Sequence, residues 1–254
     1  MPDLEPAGPK RLLILGGTAE AAELARKACD LFAGRIQVIS SLAGRRSALP
    51  DLPGQVRVGG FGGADGLEAY LRKESIDWLI DATHPFAETI SDHAYAACLR
   101  AEVKRIALVR PPWRLPPKAA WVEVADFARA AEILPTISKR TFLTTGVGEL
   151  DSFSQVNGVH FLVRLMDAPS QALPLADYAL ILGQPPFTLE NERTLLREHR
   201  VDTLVSKHSG GAGTEAKIRA AIETGVRIVL IRRPPKPAGD WAESADEIDR
   251  KSVV

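Results

Sequence analysis

From Arg11 onward, short apolar runs rich in β-formers alternate with helical stretches, and that alternation leaves few folds open. "RLLILG" precedes "TAEAAELARKACDLF", in which Ala21, Leu24, Ala25, Ala28 and Leu31 recur at the spacing of one helix face. "RIQVIS", "QVRV", the helical "ADGLEAYLRKE", "DWLIDATH", "PFAETISDHAYAACLRA" and "KRIALVR" continue the pattern, with Pro85 near a helix start, where proline is tolerated. Strands joined by crossover helices form parallel sheet, and runs this uniformly apolar suit a sheet covered on both faces. "RPPWRLPPK" (110–118) interrupts the pattern: its four prolines withdraw ladder donors and favour an extended linker. Beyond it the alternation restarts with "TFLTTG", "HFLVRL", "YALILG", "TLVSKHS" and "VRIVLIR" as strands, and with "TLENERTLLREHR" and "GTEAKIRAAIETG" as helices. The chain therefore reads as two parallel-sheet α/β halves, 11–110 and 119–234, with tails at 1–10 and 235–254. No sequence repeat links the halves, and the last stretch holds one short helix at most.

Composition narrows the function. Lysine plus arginine and aspartate plus glutamate balance at 32 each, so no global field draws nucleic acid or an anionic membrane. An anionic ligand must then be met by local devices. Residues 1–10 lack the apolar core of a signal peptide, and no apolar run approaches the length of a membrane span. Cys29 and Cys98 sit in helical segments without metal spacing and read as reduced core thiols of a cytoplasmic protein. No metal site is expected.

Two strand–glycine–helix turns compete for an anionic ligand, since bare N–H groups at a helix N-terminus attract negative charge. In "LLILGGTAEAAELA" the three fingerprint positions hold Gly16, Thr18 and Ala21, so the middle glycine is replaced. Thr18 suits an N-cap, or a hydroxyl donated to a phosphate, and Glu20 must point aside from any anion. The second strand ends "ISSLAGRR" with no carboxylate for a ribose 2′-hydroxyl; Ser40, Ser41 and Arg45 suit a 2′-phosphate, which favours NADP over NAD. "GGFGG" (59–63) and "DATHPFA" (81–87) follow strands on the same presumed edge, and His84 stands there as a ligand-binding or proton-transfer candidate, or as a structural histidine. His93, His160 and His199 read as structural.

Several chemistries do not fit. Tyr70 is followed by Lys73, one position short of a Tyr-x-x-x-Lys pair, and in "LVSKHSGGAGTEAK" (204–217) neither Lys207 nor Lys217 has phosphate-loop spacing. There is no Gly-x-Ser-x-Gly elbow, His-Glu-x-x-His or paired-cysteine motif.

Taken together, "LILGGTAEA", "SSLAG", "DATHPFA", "TTG", "ILGQPPF", "SKHSGGAGTEAK" and the closing "RRP" resemble the precorrin-6A reductase family of cobalamin biosynthesis, in order from about Arg11 to Pro234. The family carries Asn or Asp where this chain has His208. The resemblance implies two Rossmann-like domains with an interdomain cleft, and an NADPH-dependent oxidoreductase that delivers hydride to C19 and a proton to C18 of a tetrapyrrole (precorrin). It places cofactor contacts at Gly16, Gly17, Thr18, Ser40, Ser41, Arg45, Gly60, Phe61 and Thr83. Substrate carboxylates fall to Thr145, Gly146, Ser209, Gly210 and Gly211, with Lys207 and His84 as catalytic candidates. The implied protein is a cytoplasmic monomer or weak homo-oligomer that binds neither nucleic acid nor membrane. The competing readings are another NADP-dependent reductase or epimerase on the same scaffold, and a non-catalytic dinucleotide sensor.

Overall fold

The computed structural model describes residues 8–44 and 51–252. It divides into two compact units, Met1–Pro111 with Pro234–Val254, and Pro112–Arg233.

The first unit runs β1 (Lys10–Leu15), α1 (Ala19–Leu31), β2 (Ile36–Leu42), β3 (Gln55–Val58), α2 (Gly63–Lys73), β4 (Trp78–Asp81), α3 (Glu88–Ala101) and β5 (Lys104–Leu108). The chain returns to it as β12 (Trp241–Ala242) and α7 (Ala245–Ser252), giving a parallel sheet of order β3-β2-β1-β4-β5-β12. Alternation along β1 divides the core: Leu12 and Ile14 pack with Val38 and Ile80 against Ala21, Leu24, Ala25 and Ala28 of α1. Leu13 and Leu15 pack with Ile39, Leu67, Leu71, Ala94 and Ala97 on the opposite face. Both faces are covered, which is why these strands are continuously apolar. The apolar face of α1 ends a turn earlier than its spacing predicts, since Leu31 is 59% exposed. Helix α3 starts three residues after Pro85, which instead lies in the preceding turn.

The second unit contains β6 (Trp121–Val124), α4 (Phe127–Ile137), β7 (Arg140–Leu143), a 3₁₀ segment (Val147–Phe153), β8 (His160–Leu165), β9 (Tyr178–Leu182), α5 (Leu189–Glu198), β10 (Thr203–Lys207), α6 (Glu215–Thr224) and β11 (Arg227–Ile231). Its sheet is also parallel, in the order β9-β8-β7-β10-β11-β6. Phe142, Leu162, Leu204, Ile228 and Leu230 bury against Leu196 of α5 and Ile218 and Ala221 of α6.

The two sheets have one spatial order with exchanged sixth strands. β6 follows β5 in sequence yet pairs with β11, and β12 follows β11 yet pairs with β5. Residues 235–252, expected as a tail, therefore complete the first sheet: Ala242 is fully buried and Ile248 nearly so in the α1-side core. The proline-rich stretch expected as a linker contributes Trp113, 9% exposed, to the second core. Among the described residues, no helix is long and apolar enough to cross a membrane.

Candidate active site

In both sheets the strand order reverses direction beside a central pair, β1/β4 and β7/β10. Connections leave such a pair toward opposite faces, so a crevice opens at its carboxyl ends, where open α/β sheets bind ligands.

At the first switch point the β1 turn supplies Gly16, Gly17 and Thr18. Gly17 has φ 113°, which an L side chain resists, so glycine is required there. The Thr18 hydroxyl accepts from the Ala21 N–H at 3.1 Å and donates to the Ala82 carbonyl at 2.8 Å. It is thus a cap that ties the β1 and β4 turns together, rather than a phosphate donor. Glu20, expected to point aside, reaches Arg110 at 2.5 Å. In the β4 turn, the buried Asp81 accepts from the Thr83 hydroxyl at 2.7 Å and, through its other oxygen, from Arg105 at 2.7 Å. His84 Nδ1 accepts from the Phe86 N–H at 3.3 Å, an arrangement that puts the proton of the neutral ring on Nε2.

A cavity of about 180 Å³ gathers Gly16, Ser41, Gly60, Phe61 and Thr83, five of the sequence-predicted residues, with Gly59, Gly62, Gly63, Ile90 and His93. The size suits part of a dinucleotide rather than the whole. Gly17, Thr18, Ser40 and His84 are not in its lining. Ser40 is separated from Ser41 by the strand pleat; it lies 3% exposed, with a hydroxyl that has no hydrogen-bond partner among the described residues. Arg45 lies outside the described residues. A different cation stands at this edge: Arg57 of β3, in register with Ser41, donates to the Ser41 hydroxyl at 2.8 Å and the Gly59 carbonyl at 2.9 Å. Its guanidinium stacks 3.8 Å from the Phe61 ring centroid. Arg57 was not singled out in the sequence, and His93, read there as structural, lines the cavity. The signal for Arg57 was the β2–β3 pairing, which sets a cation opposite a serine.

At the second switch point, β7 ends in the Thr144–Gly146 turn and β10 in the Lys207–Gly211 turn, side by side because β7 pairs with β10. Each turn ends in a glycine of positive φ, Gly146 at 93° and Gly211 at 84°, just before a 3₁₀ segment. Thr145 is 5% exposed, and its hydroxyl has no partner among the described residues. The Gly210 and Gly211 amides donate to no group among those residues either. Lys207 reaches Glu149 at 2.9 Å, with its side chain 19% exposed, so the candidate cation already holds a carboxylate partner. Ser209 is buried, with its amide turned back to the Lys207 carbonyl at 2.8 Å.

Behind these turns Lys217, 6% exposed, donates to the Thr144 hydroxyl at 2.9 Å. Burial, with Arg164 nearby, lowers its pKa from 10.5 to about 7. Between those two values the unfolded chain binds the extra proton, so stability rises with pH through that window. Lys217→Met is expected to gain about 1–3 kcal/mol at pH 7. In urea unfolding its advantage should shrink as pH approaches 10.5, where the unfolded lysine is also losing its proton. A variant no more stable at pH 7, or one with an undiminished advantage at high pH, contradicts this account.

Comparison with known proteins shows the family and the fold. Residues 11–250 match the model of the precorrin-6x reductase CbiJ/CobK family. A precorrin-6A reductase of Rhodococcus erythropolis is 44% identical, covering 94% of each chain, and one of Mycobacterium tuberculosis is 41% identical, covering 96% of each. A cobalt-precorrin-6A reductase of Priestia megaterium is 26% identical over 93% of this chain and 96% of its own. Among solved structures, CobK precorrin-6A reductase superposes with a TM-score of 0.90 at 40% identity and 95% coverage of each chain. The chain belongs to the precorrin-6x reductase CbiJ/CobK family.

Proposed function

We propose that the chain is an NADPH-dependent reductase of precorrin-6A, placing hydride at C19 and a proton at C18 to give precorrin-6B in cobalamin biosynthesis. The observation that carries this reading is the pair of switch-point sites, one glycine-lined with a cation beside Ser41, the other offering amides with no acceptor among the described residues. The first fits NADPH. Gly16, Gly17 and Gly60 leave room for close backbone approach, and Ser41 and Arg57 suit a 2′-phosphate, whereas Ser40 faces the other side of the sheet. Thr83 and Phe61 line its wall. NADPH supplies the hydride; the chain supplies position and charge.

The second site fits a flat polycarboxylate. Gly210 and Gly211 present amides, the Thr145 hydroxyl has no partner among the described residues, and Lys207 can exchange Glu149 for a substrate carboxylate. His84, whose ring can take up and pass on a proton, is the candidate donor to C18. A neutral chain meets an anionic substrate through these local donors rather than through a global field.

Mixing the protein with NADPH and precorrin-6A should oxidise the cofactor in step with a change in the tetrapyrrole chromophore. Cofactor binding without turnover would instead favour a sensor. For the cofactor assignment, Arg57→Ala is expected to raise the KM for NADPH about 10–100-fold, the value of one charge-assisted hydrogen bond. The KM for NADH should barely move. An equal rise for both cofactors would remove Arg57 from 2′-phosphate recognition.

A further inference from the structure

The two places where the chain crosses between units, near Pro112 and Arg233, both fasten onto the turn that follows β10. Trp113 Nε1–H donates to the Gly211 carbonyl at 3.0 Å. Arg233 donates through Nη2 to the Ser209 carbonyl at 2.7 Å and through Nε to the His208 carbonyl at 3.3 Å. His208 braces the clamp: Nε2 lies 3.1 Å from the Trp113 carbonyl, its ring stacks on the indole at 6.2 Å, and Nδ1 lies 3.4 Å from Glu123.

We propose that Trp113 and Arg233 are positioning residues for the tetrapyrrole, an inference that rests on reading the β10 turn as the precorrin-carboxylate site. A peptide turn shows an approaching anion either its amides or its carbonyls, and exposed carbonyl oxygens repel carboxylate. Here the carbonyls of His208, Ser209 and Gly211 are all held by side-chain donors, while the Gly210 and Gly211 amides have no acceptor among the described residues. The polarity of the turn is thereby fixed before substrate arrives, which lowers the ordering cost of binding. The indole N–H and the forked guanidinium suit this task because each is donor-only and cannot itself offer the anion a lone pair. His208 packs against the clamp, its ring lying between Trp113 and Glu123.

Trp113→Phe keeps the buried ring and removes the donor. It should raise the KM for precorrin-6A about 3–10-fold, the value of a neutral hydrogen bond. Arg233→Met should raise it about 10–100-fold, and Arg233→Lys, which keeps one cationic donor, should fall between Met and the parent. The KM for NADPH and kcat should stay within about twofold, because neither side chain contributes to the first switch point. A KM for precorrin-6A that is unchanged in both Trp113→Phe and Arg233→Met overturns the inference, even if thermal stability falls. So does a loss at Arg233→Met that Arg233→Lys does not relieve. Lys207→Ala, assayed alongside, separates the two failures. If it raises the KM for precorrin-6A while the clamp variants do not, the clamp is wrong and the site reading stands; if it too is silent, the site reading fails as well.

Discussion

Asp81→Ala is expected to cost about 3–5 kcal/mol of folding stability, the range for breaking one half of a buried ion pair. The side chains of Arg105 and Asp81 are 4% and 2% exposed and meet at 2.7 Å, so the variant leaves a guanidinium charge in the interior with no counter-charge. Among the described residues Arg105 keeps neutral acceptors, the Ala238 carbonyl at 2.9 Å and the Ser91 carbonyl at 3.4 Å. Through Ala238 it also ties the returning C-terminal segment to β5, so the loss spreads to the exchanged strand β12. The double variant Asp81→Leu/Arg105→Met removes both charges together and should recover most of the stability. It should not recover cofactor affinity, because Thr83, which lines the first cavity, still loses the carboxylate that fixes its hydroxyl and amide. Urea unfolding of the three proteins with parallel NADPH titrations tests both halves. A single variant within about 1 kcal/mol of the parent contradicts the charge argument.

The parts of this fold that were legible are those that two-sided burial writes directly into the sequence. β1, β2, β10 and β11 are built round buried apolar residues because helices cover their sheets, so each shows as a β-rich run, with polar residues only at a few positions such as Ser40, Ser41 and Ser206. β6 and β12 escaped notice for the converse reason. They are edge strands of four and two residues, and three of the four side chains of β6 are exposed or half-buried. Their exchange between sheets has no local signature, because either sheet accepts a short parallel edge. α4 carries Pro135 within its span, which hid it from a search for uninterrupted helix. Trp113 was hidden by its surroundings: four prolines announce an extended chain but not what one aromatic within it will bury against. The site followed the same division. The glycine turns and Thr83 were visible because backbone geometry restricts residue type, while Arg57, Asp81–Arg105 and Lys207–Glu149 are pairings across 16 to 58 residues that only strand register or packing brings together.

Lys207→Ala should lower kcat/KM for precorrin-6A about 10–100-fold while changing NADPH affinity less than about twofold. The stability cost should be small, because a partly buried but still solvent-accessible ion pair such as Lys207–Glu149 contributes on the order of 1 kcal/mol. This contrast between function and stability is the diagnostic, since a merely structural lysine would show the reverse. Glu149 sharpens the test. If Lys207 must release Glu149 to hold a substrate carboxylate, that carboxylate is a built-in competitor 2.9 Å away. Glu149→Gln keeps the side-chain shape and a weaker acceptor but removes the competing charge and its repulsion of the substrate. It should therefore lower the KM for precorrin-6A by about 3–10-fold, and raised salt should narrow its difference from the parent. Lys207→Ala/Glu149→Gln should resemble Lys207→Ala, because the advantage of freeing the cation disappears with the cation. A Glu149→Gln variant that binds substrate worse would mean that the pair acts as a unit to hold the Gly146 turn in place, and the cation would lose its direct role.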